Sequence, residues 1–224
     1  MCSSDLATNI LMRFIMIRML VAAVFAAVLI YSTHYAEAAS DEGDVSAAVE
    51  GFRTAHFGMS EDDVLKSVRK EFGLKNDAVA REKNSLEKTT SLIVPANDLI
   101  PDSGPSRIAY IFGYGSKKLI QINIVWGHPV DQNTTAQKLV ATANILRNFF
   151  AAGGYKNVMV NQPVEIGATV VFRGSDEKGR MVLLVLNATR ASDEKAEDGD
   201  AAPQRVSLRL SYMENPGKPD IYRV

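Results

Sequence analysis

The chain predicts an α+β domain in which helices pack on one face of an antiparallel sheet. Three observations carry this expectation. Two segments repeat apolar residues at helical spacing. Several others alternate apolar and polar residues, or run apolar, at strand length. The first clear pair of strands is joined by a glycine-rich turn, too short for the crossover that parallel strands need. In order, the elements read helix and three strands, then helix and four strands, which suggests a helix-β-β-β pseudo-repeat.

The first residues read as a targeting segment. Arg13 and Arg18 precede an uninterrupted apolar run, residues 19–30, and Ala36-Glu37-Ala38 supplies an A-x-A site. A basic region, an apolar region and a small-residue site make a secretory signal peptide, so residues 1–38 are expected to be cleaved after Ala38. The mature protein is then periplasmic or secreted. The competing reading is an uncleaved anchor, because residues 19–36 carry no Asp, Glu, Lys or Arg and about 18 residues can just span a bilayer. Residues 1–11 are polar and include Asp5, which is unusual ahead of such a segment; Met12 and Met16 are alternative starts.

The whole chain holds 25 basic and 26 acidic residues. Cleavage would leave 23 and 24, with the balance unchanged. No basic stripe with interleaved aromatics is present, which excludes a nucleic-acid partner on composition. Cys2 is the only cysteine, so the mature chain is expected to have no disulfide, no thiol nucleophile and no lipid-anchored cysteine.

Residues 39–51 are small and acidic, a flexible lead-in to a folded domain over 52–224. That domain reads either as one unit or as two subunits, 52–130 and 131–224. Its opening stretch, HFGMSEDDVLKSVRKEFG, has the parts of a capped helix. Ser60 and Asp63 form a capping box, with Met59 and Val64 as the hydrophobic staple. Glu61, Asp62 and Asp63 sit where the helix dipole favours negative charge. Val64, Leu65, Val68 and Phe72 recur at helical spacing, and Gly73 is suited to end the helix. Residues 76–87 predict a second, weaker helix.

Strands follow. Residues 89–94 (TTSLIV) should stop at Pro95. Residues 107–112 (RIAYIF) and 119–126 (LIQINIVW) should form a hairpin, with Ile120, Ile122, Ile124 and Trp126 on one side. Residues 134–152 predict the longest helix, with a stripe of Ala136, Leu139, Val140, Ala143, Leu146 and Phe150. Residues 155–160, 168–173, 181–186 and 205–212 predict strands. MVLLVL is apolar throughout, which suggests a central strand covered on both faces. In the last strand Val206, Leu208, Leu210 and Tyr212 should face inward. The acidic stretch before it, residues 190–204, predicts a solvated loop.

The residues that could carry chemistry are few. His56 and His128 lie far apart, and neither has a partner at metal-ligand spacing. FGYGSKK lacks the spacing of a phosphate loop. Asp62 and Asp63 point about 100° apart on a helix and do not converge. The acidic residues 193–200 lack the order of a calcium loop. The sequons at Asn133 and Asn187 match a pattern frequent by chance. Tyr110 and Trp126 suit the core, whereas Tyr114 sits in the hairpin turn. These considerations leave no catalytic, cofactor or metal residue, and a candidate binding surface of His56, Tyr114, Trp126 and His128.

FGMSEDDVLKSV, residues 57–68, resembles the helix-opening segment of small bacterial envelope proteins. It is similar to the SmpA/OmlA-like fold and to the β-lactamase-inhibitor-like fold, which builds tandem helix-plus-sheet units. The resemblance implies a non-enzymatic role, binding another protein or an envelope component; the missing lipid-anchor cysteine departs from the SmpA/OmlA pattern. The alternative is a soluble protein that binds a small ligand or lipid in a pocket between the 134–152 helix and the sheet. A hydrolase is the third reading.

Overall fold

The computed structural model describes residues 46–165, 167–190 and 204–223. The expected signal segment, the first part of the lead-in and the acidic stretch 191–203 lie outside the described residues. The architecture is α+β and dominated by its sheet. A two-stranded ribbon, β1 (Gly51–Phe52) and β2 (Ala55–His56), precedes helix α1 (Glu61–Phe72). Strands β3 (Ala80–Lys83), β4 (Thr90–Asn97), β5 (Pro105–Phe112) and β6 (Leu119–Gly127) follow. Helix α2 (Ala136–Ala151) leads into β7 (Lys156–Glu165), β8 (Ala168–Ser175), β9 (Met181–Arg190) and β10 (Gln204–Met213). The eight long strands make one antiparallel sheet in the order β3-β4-β5-β6-β10-β9-β8-β7. Residues 52–130 and 131–224 thus each contribute four strands, and the last strand of each half pairs with the other, Ile124 opposite Leu210.

Helix α1 is closed at both ends by local chemistry. Ser60 Oγ accepts from Asp63 N at 3.3 Å, and Gly73, at φ 61°, donates to Arg69 O. Val64 and Val68 are its buried residues. In α2 the buried residues are Leu139, Thr142, Ala143, Leu146 and Phe150, while Val140 is exposed. The apolar ones join the same core as Val64 and Val68. A cross-strand row runs through that core: Val94, Ile108, Ile124, Leu210, Leu184 and Phe172 lie side by side across six strands. The ring of Phe150 stacks on Phe172 at 5.5 Å, which seats α2 on the sheet.

Several expectations are corrected. The weak helix over 76–87 is absent; a single 3-10 turn, Asn76–Ala78, leads into β3 instead. All four β3 residues are exposed, so backbone pairing with β4, not a buried face, holds them extended. Strand β4 does not stop at Pro95 but continues to Asn97. Strand β3 covers β4 only from Thr90 to Ile93, so Pro95 lies on an uncovered edge, where its missing N–H costs no ladder bond. A register shift at Ile111–Phe112 puts Phe112 opposite Leu119. Leu119 is therefore fully buried and Ile120 is not, because one extra residue moves the side chains to the other face. Strand β7 is longer than 155–160, and it is an edge strand with broken register and left-handed residues Asn157 and Asn161, features that discourage edge-to-edge pairing.

Within residues 181–186, Val182 and Leu184 are fully buried and Val185, on the other face, is 7% exposed, whereas Met181, Leu183 and Leu186 are half-buried, so the second face is covered only in part. The lead-in is ordered before residue 51. Val49 is 1% exposed in the core, and its N–H is bonded to Asp176.

Candidate functional site

Helix α2 offers more apolar surface than its seat on the sheet uses. Leu146 and Phe150 point inward, but Ile145 and Phe149, on the adjoining face, are 52% and 71% exposed. Beneath them the sheet supplies Ile124, Trp126, Leu210 and Tyr212. Phe52 packs its ring against Tyr212 at 5.8 Å and brings the β1 ribbon up as one wall. Leu99 and Ile100, from the β4–β5 loop, form the other. The result is a half-open groove of about 340 Å³, within the size range of small-ligand sites and lined as such sites are. Burial raises the pKa of Tyr212, so its hydroxyl stays neutral. Trp126 is 1% exposed, and its indole N–H has no hydrogen-bond partner among the described residues.

Arg53 is the single charged residue of the groove lining. It occupies a left-handed backbone position, φ 55°. Its guanidinium carbon lies 5.4 Å from the Phe52 ring centroid and 5.3 Å from that of Phe72. Its Nη1 donates to Glu71 Oε1 at 3.3 Å, while Glu71 Oε2 accepts from the Thr54 hydroxyl and amide.

A second concavity of about 800 Å³ has a mixed polar and apolar lining, and lies among the β5–β6 turn, the β8–β9 turn and the C-terminal tail. It is lined in part by Ser116, Gln121, Lys178, Arg180, Glu214 and Asp220. Burial pushes the Glu214 carboxyl up. Asp220 is held low, mainly by hydrogen bonds from Ser116 and Gly115. Both carboxylates are thus explained locally. Among the described residues no group of three or more His, Cys, Asp or Glu side chains could hold a metal ion.

The four residues singled out from the sequence do not form one surface. Trp126 is not a surface residue but part of the groove floor, because β6 is central and Ile122, Ile124 and Trp126 share its buried face. Tyr114 is 42% exposed, but its ring is covered edge-on by Tyr222 at 5.4 Å. His56 is exposed on β2, where its amide donates to Met59 Sδ. His128 is half-buried just past the far end of β6 and donates its amide to Val206 O. Gly58 N bonds Leu119 O at the near end of β6, so the length of that strand, roughly 26 Å, separates the two histidines. The groove residues Phe52, Arg53, Leu99, Ile100, Ile145 and Phe149 were not legible as a site. One signal was present: Phe149-Phe150 are adjacent on a helix, and only one of them can face the sheet.

The opposite face of the sheet has a different chemistry. Register places Arg107, Arg173, Arg205 and Arg209 on it across the six inner strands, with no Asp or Glu among them. Arg107 and Arg209 flank Val125, about 10 Å apart across two strand spacings. None of the four makes a salt bridge among the described residues.

Fold and site together define a sheet-dominated α+β protein with a half-open apolar groove and an arginine-bearing open face. Comparison with known protein families, curated proteins and solved structures gives no match. No helix among the described residues is long and apolar enough to cross a membrane.

Proposed function

We propose that this is an exported, non-catalytic binding protein that takes an apolar small ligand into the groove between α2 and the sheet. Export rests on the Arg-flanked apolar run and A-x-A site of the N-terminus. Binding rests on one observation: Ile145 and Phe149, large apolar side chains on a well-packed helix, stand open to solvent above an apolar floor. Helix geometry turns Phe149 away when Phe150 is buried to 2% and leaves it 71% exposed; a ligand in the groove would cover that apolar surface. The experiment is titration of the mature protein with the neutral probe N-phenyl-1-naphthylamine, following both probe emission and Trp126, the only tryptophan. Saturable uptake with a change in Trp126 emission, weakened about tenfold by Phe149→Asp, is the expected result. Unchanged emission from both fluorophores would sink the reading.

A second reading, docking to an anionic envelope component, is favoured by the acid-free arginine face. Arginine pairs well with phosphate and carboxylate groups. Vesicles containing anionic phospholipid should sediment the protein at low salt and lose it in the Arg107→Glu/Arg209→Glu double variant. Equal sedimentation of both proteins would remove this second reading.

A further inference from the structure

We propose that the ligand of the groove is an anionic amphiphile, its head group held by Arg53 and its chain lying over Trp126 beneath Ile145 and Phe149. The inference rests on the groove reading above and adds the class of ligand. The groove wall is apolar except at one place, and a site of that kind is selective for a molecule with one charged end. Arg53 is held ready for such an end. Its guanidinium lies against two phenylalanine rings, and Glu71 fixes one edge of it. A guanidinium has five N–H donors, and only Nη1 is used, so the others can donate to a carboxylate or phosphate in a paired geometry. Glu71 is not a free competitor, because its second oxygen is committed to Thr54.

The test compares dodecanoate, dodecyl phosphate and methyl dodecanoate at pH 8, read by Trp126 emission. The wild-type protein is expected to bind at least one of the two anions about tenfold more tightly than the ester, a difference typical of one charge-assisted hydrogen bond; which anion gains names the head group. Arg53→Met keeps an apolar stem and should bring that anion-to-ester ratio, measured within the variant, close to one. Glu71→Gln keeps an acceptor for Thr54, removes the negative charge that would repel an incoming anion, and should tighten the anion several-fold. Ester binding with no preference for either anion, or a preference that survives Arg53→Met, overturns the assignment of Arg53 and leaves the groove reading standing. Failure of all three ligands to bind overturns both.

Discussion

Asp176 Oδ2 accepts a hydrogen bond from the backbone N–H of Val49 at 3.0 Å, across 127 residues of sequence. The same carboxylate accepts from Arg180 Nε at 2.7 Å and, through Oδ1, from the amides of Lys178 and Arg180 at 2.9 Å. One buried side chain therefore shapes the β8–β9 turn and fastens the start of the folded chain to it. Asp176→Ala leaves the Val49 amide and the Arg180 guanidinium without their acceptor. A loss of about 3 kcal/mol is expected, measured by urea unfolding.

Acid should release the same clasp. Burial alone would push the Asp176 carboxyl up; the bonds from Val49 and Arg180, with the Arg180 charge, outweigh it and hold the carboxyl below its ordinary value. A depressed folded-state pKa means that the stabilisation is fully present above the unfolded value, about 3.9, and is lost as pH falls through the folded one. Stability should therefore decline below about pH 4, and less steeply in Asp176→Asn. Parallel curves for the two proteins would exclude Asp176 as a source of acid sensitivity.

Two glycines with similar backbone angles should behave differently. Gly127 has φ 77°, and a Cβ there would sit 2.5 Å from Val206 O and 2.7 Å from Leu139 Cδ1. Gly58 has φ 84° and nothing within 4 Å of the added atom. Gly58→Ala should cost only the left-handed strain, about 1–2 kcal/mol. Gly127→Ala adds a clash between β6, β10 and α2 and should cost about 1–3 kcal/mol more. Thermal melts of the two variants would separate these terms, and equal losses would contradict the packing of Leu139 over Gly127.

Adjacent phenylalanines should divide stability from binding. Phe150 stacks on Phe172 and is 2% exposed, so Phe150→Ala should cost about 3–5 kcal/mol. Phe149 is 71% exposed, and Phe149→Ser should change unfolding by no more than about 0.5 kcal/mol while lowering ligand affinity. Chemical denaturation beside the Trp126 titration would show whether the two effects separate.

The C-terminal tail should be released locally rather than globally. Asp220 accepts from Gly115 N at 2.9 Å and Ser116 N at 2.8 Å, and Tyr222 N bonds Glu87 O at 2.8 Å. In Asp220→Ala, hydrogen exchange should accelerate at least about tenfold at Gly115 and Ser116 and remain slow in β9 and β10. Acceleration throughout the sheet would mean that the tail supports the whole fold.

Much of the backbone plan was determined by the sequence alone, because its signals are local. Ser60, Asp63 and Gly73 define α1 within a dozen residues. The Phe112–Leu119 turn joins two alternating strands, and the 205–212 alternation places Leu208 and Leu210 in the core. Such features need only near neighbours to be satisfied. Tertiary structure decided what depends on distant partners. Strand β3 exists because β4 lies beside it. Pro95 continues a strand because β3 ends too soon to require its N–H. Leu119 displaces Ile120 because β6 carries one extra residue in its pairing with β5, which shifts the register. The candidate site belongs to this second kind. Phe52, Leu99, Trp126 and Phe149 come from four separate segments, and only the seating of α2 on the sheet turns them into a groove with Arg53 at its wall.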